Sequence, residues 1–131
     1  MESGGTKVPT LLGIFGGWKG SSGTNTDGLY NDSPLEGNYT EYFTYSNSAL
    51  TCIKACKIRW YITSKNGKNS VANTYAFVTK NGTEIFRTIE ASTNQVKANY
   101  MDIDCEVGDV FKVTQQSNDT ITVTNSIIFL I

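Results

Sequence analysis

The sequence predicts an all-β fold, an antiparallel β-sandwich preceded by an irregular, glycine-rich N-terminal arm. From residue 49 onward the apolar residues recur with a period of two, which is typical of half-buried strands. Serine, threonine and asparagine together supply 40 of the 131 residues, a mixture that favours strands and turns over helices. Nine of the twelve glycines fall in the first 37 residues, so we expect an arm at 1–37 and a sandwich at 38–131.

Each strand can be predicted in order from the alternation of its residues. Residues 50–63 alternate between an apolar and a polar face, and Lys54 is the exception on the apolar face. Asn81 and Gly82 stand between two β-rich runs, which is a strong hairpin signal. Seven or eight short strands in one domain indicate a sandwich or a barrel. The strands that follow 50–63 are predicted over 74–79, 83–91, 96–107, 109–116 and 120–131.

Charge and composition exclude several classes of function. A net charge of −1 gives neither the basic surface expected of a nucleic-acid-binding protein nor a polybasic membrane patch. The longest apolar run has five residues, too few to span a bilayer, and the N-terminus lacks the pattern of a signal peptide. Histidine is absent, and Cys52, Cys56 and Cys105 fall on the apolar phase of strands, where buried free thiols are common. We therefore predict no cofactor and no zinc site.

The last strand changes character near its end. Ile121 and Val123 alternate with threonines, but from Ser126 onward both faces are apolar. A strand that is apolar on both faces must be covered on both faces, and a two-layer sandwich covers only one. The second cover is either the N-terminal arm or another subunit. If it is another subunit, the oligomer interface contains Ile127, Ile128, Phe129, Leu130 and Ile131.

The N-terminal arm carries its own apolar residues among the glycines. Such a segment is typical of a docking peptide that anchors one chain on another. The alternative is that the same residues form an irregular first strand and loop of the domain itself. The candidate anchors are Val8, Leu11, Leu12, Ile14, Phe15 and Trp18.

The order of motifs over residues 49–131 resembles the TNF-like jelly roll. The matching features are the hairpin at 81–85, a Val-Gly-Asp step leading into a strand at 107–113, and a terminal strand that ends in Phe-Leu-Ile. This fold includes the globular heads of complement and collagen-like proteins and many small bacteriophage virion proteins. The resemblance implies a trimer whose inner sheets meet at a threefold axis. The first 48 residues do not match the early strands of that family.

The resemblance, together with the absence of catalytic residues, implies a non-enzymatic virion structural protein. The expected form is a trimeric phage head fibre or capsid-decoration knob, assembled in the bacterial cytoplasm and attached to other virion proteins through its arm. The alternative is a receptor- or glycan-binding adhesin at a tail tip, with exposed aromatic side chains that stack on sugars. The candidates for that stacking are Tyr30, Tyr39, Tyr42, Phe43, Tyr45 and Tyr61, although aromatic residues on sheets are usually core.

One acidic cluster is the remaining candidate for site chemistry. Asp102, Asp104 and Glu106 share one strand face, and Asp109 follows in the next turn. Carboxylates at a strand end are the hard oxygen ligands that calcium prefers. A solvated acidic edge that discourages aggregation explains the same pattern. Catalysis has no histidine and no activated nucleophile on which to rest.

Overall fold

The all-β prediction is confirmed by the structure of the chain, a computed structural model. It describes residues 10–20, 23–25, 29, 37–66, 75–88, 95–117 and 121–131. These residues form two antiparallel sheets and one 3-10 turn at Tyr39–Glu41. The strands are β1 (Thr10–Gly20), β2 (Gly23–Asn25), β3 (Phe43–Ser46), β4 (Ala49–Cys52), β5 (Cys56–Asn66), β6 (Tyr75–Lys80), β7 (Thr83–Arg87), β8 (Val96–Cys105), β9 (Val110–Ser117) and β10 (Ile121–Phe129).

The first and last strands of the described chain are neighbours in one sheet. The four-stranded sheet has the order β1-β10-β5-β8, so β10 pairs with β1 on one side and β5 on the other. The second sheet has the order β3-β4-β9-β6-β7, and the short β2 pairs with β9. Beyond β10, Leu130 donates its backbone N–H to the Lys57 carbonyl at 2.8 Å. Lys57 in turn donates its N–H to the Ile131 carbonyl at 2.6 Å, so hydrogen bonding to β5 continues past the strand.

The core lies between the inner faces of the two sheets and is centred on Trp60. Its ring centroid is 5.7 Å from that of Phe111, which joins β5 in one sheet to β9 in the other. The indole N–H of Trp60 donates to the side-chain oxygen of Asn125 at 3.0 Å, and both residues are fully buried. This bond satisfies two polar groups that would otherwise destabilise the core. Other large buried members are Phe15, Phe43, Leu29, Leu50, Ile58, Ile62, Val78 and Ile127.

The predicted boundary at residue 37 is wrong for the residues that the structure describes before it. Thr10–Gly20 is a strand of the sandwich, paired with β10 from Thr10↔Phe129 to Gly20↔Ile121. A β-bulge between Leu11 and Gly13 turns Leu12 toward the core, and Phe15 follows on the same face. The alternative of an irregular first strand is therefore correct. The boundary is wrong because β1 contributes Leu12 and Phe15 to the hydrophobic core and is therefore part of the sandwich.

Gly37 marks a close backbone approach to β1. Its φ is +96°, a conformation that L side chains rarely adopt. A Cβ at this position would also overlap the carbonyl group of Leu12. Gly82 provides a natural comparison, because its φ is +85° but a Cβ there would meet nothing within 4 Å.

We predict that Gly37→Ala destabilises the fold more than Gly82→Ala does. Both substitutions place an L side chain at positive φ, which costs about 1–2 kcal/mol. Only Gly37→Ala adds an overlap with the backbone of β1, for which overpacking adds roughly 1–3 kcal/mol. Urea denaturation of both variants at one protein concentration measures the difference. Equal losses in the free energy of unfolding would contradict the close approach.

Candidate oligomer interface

The outer face of the four-stranded sheet carries two rows of side chains that run across the strands. Strand register places Leu11, Ile128, Arg59 and Asp102 in one row, because each is the direct partner of the next. The neighbouring row, by the same pairings, is Ile14, Ser126, Tyr61 and Tyr100. Directly opposed residues of antiparallel strands share one face, so both rows point away from the core.

Apolar and aromatic groups dominate this surface. Ile128 and Leu130 are half-buried on or just beyond the central strand β10. We call the set Leu11, Ile14, Tyr61, Tyr100, Ile128 and Leu130 the outer apolar face. Its exposed members are Leu11 at 38 %, Ile14 at 38 %, Tyr61 at 37 % and Tyr100 at 54 % relative exposure.

One bidentate ion pair and two aromatic contacts organise the β5–β8 side of this face. Arg59 donates to both carboxylate oxygens of Asp102, at 2.6 and 3.0 Å. Its guanidinium group also lies 5.0 Å from the ring centroid of Tyr100, and the rings of Tyr100 and Tyr61 are 5.4 Å apart. The hydrogen bonds from Arg59 hold the pKa of Asp102 below its ordinary value. Such planar, paired contacts pre-order a surface that is open to solvent.

The five predicted interface residues divide into two sets. Ile127 and Phe129 lie on the inner face and are buried in the core, so the interface prediction is wrong for these two. Ile128 and Leu130 belong to the outer apolar face, and Ile131 is 65 % exposed. The described strand β1 also does not cover Ile128, because it lies beside β10 in the same sheet rather than over its face.

The six predicted docking anchors also divide. Leu12 and Phe15 are core residues, so a docking role is wrong for them, whereas Leu11 and Ile14 are exposed on the outer apolar face. Trp18 belongs to β1, and its side chain lies outside the described part of the chain. Val8 lies outside the described residues altogether.

The acidic residues of the predicted calcium site do not form one cluster, because Asp102 and Asp109 have different hydrogen-bond partners. Asp102 pairs with Arg59, while Asp109 accepts a backbone N–H from Glu106 and a side-chain N–H from Asn81. Those hydrogen bonds lower the pKa of Asp109. In the part of the chain that is described, no group of three or more Cys, Asp or Glu side chains is arranged to hold a metal ion, so Asp102, Asp104, Glu106 and Asp109 do not form the calcium site considered above.

The aromatic run at 38–45 serves the core rather than the surface. Phe43 is buried, and the ring of Tyr42 stacks on that of Phe129 with centroids 4.8 Å apart. Tyr39 and Tyr45 lie 5.3 and 5.8 Å from the ring of Phe15. Tyr42 and Phe43 are therefore buried away from a sugar ligand, and Tyr39 and Tyr45 are partly buried against the core. Tyr30 lies outside the described residues, and Tyr61 joins the outer apolar face.

Comparison with known proteins identifies the fold. No family model matches this sequence, and no curated protein matches it. Among solved structures, murine APRIL at pH 8.0 superposes with a TM-score of 0.69 at 11 % identity, over 94 % of this chain and 100 % of that one. The domain has a TNF-like jelly-roll fold.

Two further structures with this TNF-like fold extend the comparison. The globular domain of zebrafish complement 1qA has a TM-score of 0.65 at 9 % identity, covering 95 % of this chain and 98 % of that chain. The vertex protein P5 of PRD1 has a TM-score of 0.61 at 16 % identity, covering 98 % and 100 %. At these identities the likeness is one of fold. Among the residues described here, no helix is long and apolar enough to cross a membrane.

We predict that Arg59→Gln raises the pKa of Asp102 toward its ordinary value near 3.9, because the two hydrogen bonds from the guanidinium group are lost. The lowered pKa means that the pair stabilises the fold at neutral pH and that this contribution disappears as the pH falls through and below about 4. Carboxyl-carbon NMR titration measures the shift.

Arg87→Gln is the matched control, because Arg87 lowers the pKa of Glu84 in a similar exposed pair. It should raise the pKa of Glu84 and leave that of Asp102 unchanged. An Asp102 pKa that is the same in the wild type and in Arg59→Gln would contradict the ion pair.

Proposed function

We propose that this chain is a non-enzymatic structural module of a virus particle, which assembles as a homotrimer through the outer apolar face. The observation that carries the proposal is the position of Ile128 and Leu130. Ile128 lies on β10, a central strand of the four-stranded sheet, and Leu130 follows the end of that strand. Both are half-buried, and Leu11, Ile14 and Tyr61 on the same face are exposed. Contiguous apolar surfaces of this kind mark protein–protein contacts.

The physical case is one of surface removed from water. Completing the burial of a large aliphatic or aromatic side chain contributes up to roughly 1.5–3 kcal/mol. Burying the six side chains of the outer apolar face on each copy contributes favourable free energy that opposes the entropy lost on association. Aromatic residues and arginine, which are enriched at interfaces, border the aliphatic centre here as Tyr61, Tyr100 and Arg59.

The virion assignment rests on likeness of fold together with the character of the chain. The superposition with PRD1 vertex protein P5 spans nearly the whole of both chains. The TNF-like resemblance implies a trimer in which one sheet of each subunit faces the threefold axis. We assign that position to the four-stranded sheet, which carries the outer apolar face on the side away from its own core. We infer a head-fibre or capsid-decoration knob, assembled in the bacterial host cytoplasm. Attachment to other virion proteins through Val8 and Trp18 stays a prediction. Leu12 and Phe15 cannot contribute to it, because both are buried in the core.

Two observations favour this role over the others considered. The carboxylates that acid–base chemistry would use are held in an ion pair with Arg59 or in a turn around Asp109. An adhesin would need another surface, because the aromatic run at 38–45 packs against the core. A structural module therefore accounts for the described side chains with the fewest additional requirements.

We predict that the wild-type chain has a solution mass of about three chains and that Ile128→Ser with Leu130→Ser reduces it to one. The two substitutions leave the backbone hydrogen bonds between β10 and β5 intact, but they replace the apolar side chains at the centre of the proposed contact with polar ones. Light scattering coupled to size exclusion measures the mass, and circular dichroism confirms that the β-sandwich persists.

The matched control is Ile53→Ser with Val107→Ser. Both residues are exposed apolar side chains, at 46 % and 69 % relative exposure, and neither belongs to the outer apolar face. This variant should keep the mass of the wild type. A wild-type monomer, or equal loss of mass in both variants, would contradict the proposed interface.

The virion assignment is tested separately by mass spectrometry of purified particles made by the genome that encodes the chain. We expect its peptides in the particle fraction in proportion to a fixed copy number. A chain found only in the unassembled fraction would contradict the virion role without affecting the oligomer result.

A further inference from the structure

Three thiols meet at one end of the sandwich. Cys56 begins β5 and Cys105 ends β8, and the two residues are direct partners across the strand pair. Cys52 ends β4 in the other sheet, four residues before Cys56. All three are free cysteines, and as the sequence predicts, Cys52 and Cys105 are buried, while Cys56 is half-buried. Both of the other thiols lower the pKa of Cys56, and Cys105 has the larger effect.

The register of Cys56 and Cys105 is compatible with a disulfide between them. Directly opposed residues of antiparallel strands have Cα atoms about 4.5–5.5 Å apart. Disulfides span Cα separations of roughly 4.4–6.8 Å. Both side chains also point to the same, inner face of the sheet, because they lie in register. The Cα separation expected of this register therefore falls within the range that a disulfide spans.

Cys52 is placed differently from this pair. The chain bends between it and Cys56, and its thiol donates to the Lys54 carbonyl at 3.1 Å. Backbone hydrogen bonds also hold it, since its N–H donates to the Asp109 carbonyl at 2.8 Å and its carbonyl accepts from Gly108 at 2.9 Å. Cys52 is thus fixed to the turn that follows β8, and it belongs to the other sheet, outside the register that pairs Cys56 with Cys105.

We propose that Cys56 and Cys105 are a redox pair that closes into an intramolecular disulfide when the chain meets a peroxide. Cys56 is the nucleophile, because it is the half-exposed member of the three. Cys105 is the resolving thiol, buried directly opposite it.

The two steps balance in atoms and electrons. The Cys56 thiolate attacks one oxygen of hydrogen peroxide, the O–O bond breaks, and hydroxide leaves to give a sulfenic acid on Cys56. The Cys105 sulfur then attacks the sulfenic sulfur, the S–O bond breaks, and the oxygen leaves as water with the proton from Cys105. Two thiols lose two electrons and two protons, and one peroxide becomes two waters.

The electrostatic setting favours this division of roles. A hydrogen bond with Cys105 lowers the pKa of the Cys56 thiol, which increases the fraction present as the reactive thiolate. That hydrogen bond and burial raise the pKa of Cys105, and burial raises that of Cys52. The half-exposed thiol is therefore also the one that ionises most readily.

The bond would tie together the two strands that carry the polar half of the outer face. Arg59 and Tyr61 follow Cys56 along β5, and Tyr100 and Asp102 precede Cys105 along β8. The sulfurs lie on the opposite, inner side of this sheet, so oxidation is compatible with an occupied or an empty outer apolar face. The inference therefore does not depend on the proposed function.

Tryptic peptides separate the three cysteines cleanly. Cys52 falls in peptide 20–54, Cys56 in 55–57 and Cys105 in 98–112. The full chain is treated with hydrogen peroxide, its remaining thiols are blocked with N-ethylmaleimide, and the digest is analysed without reduction. We expect 55–57 joined to 98–112, two hydrogens lighter than the sum of the two peptides, with Cys52 alkylated. Dithiothreitol should release both peptides.

Two controls make the result specific to the fold. The Cys52→Ser variant should keep the link between 55–57 and 98–112. The wild-type chain oxidised in guanidinium should instead give mixed pairs that include 20–54 with 55–57. If the folded wild-type chain yields that second pair, a link between two chains, or a sulfenic acid on Cys56 with no link, the proposal is overturned. The wild-type digest decides the matter even if a cysteine variant fails to fold.

Discussion

The structure depends on the pairing of β10 with β1 on one side and β5 on the other. This pairing closes the four-stranded sheet and brings the first described strand beside the last. It also gives β10 two different environments. Its inner face supplies Val123, Ile127 and Phe129 to the core, and its outer face presents Ile128 between Leu11 and Arg59. An apolar strand at the centre of a two-layer sandwich must expose one face unless something covers it.

The sheet therefore separates two kinds of chemistry. The outer side is built for contact, with aliphatic groups at its centre and the Arg59–Asp102 pair at its β8 edge. The inner side holds Cys56 at the start of β5 and Cys105 at the end of β8, and Cys52 ends β4 in the other sheet. Because side chains alternate along a strand, Cys56 and Arg59 can serve opposite sides of one sheet while only three residues apart.

The sequence predicted the strands in which polar and apolar residues alternate. It did not predict the glycine-rich strand or the contacts that depend on pairing between distant strands. The alternation over residues 50–63 predicts β5, but the single strand expected there is wrong, because these residues form β4 and β5 in different sheets; Asn81-Gly82 predicts the β6–β7 hairpin. β1 escaped prediction because its glycines remove the alternation and a bulge at Leu12 shifts the phase. The sequence also did not predict the two rows of side chains across the outer face. Tyr100 and Arg59 occupy polar positions of separate strands, and only the strand register shows that they are in contact.

The composition of the outer apolar face is itself set from within the core. Residues 127–131 cannot fix their own register, because a slip of one residue would exchange one apolar side chain for another. Asn125 breaks this ambiguity. Its side chain is buried and accepts the indole N–H of Trp60, so a slip would expel the amide and leave that N–H without an acceptor, at a cost of about 1–3 kcal/mol. Thr124, now exposed, would turn inward at the same time. The buried polar pair therefore determines that Ile128, and not Ile127, faces the surface where we propose that subunits meet.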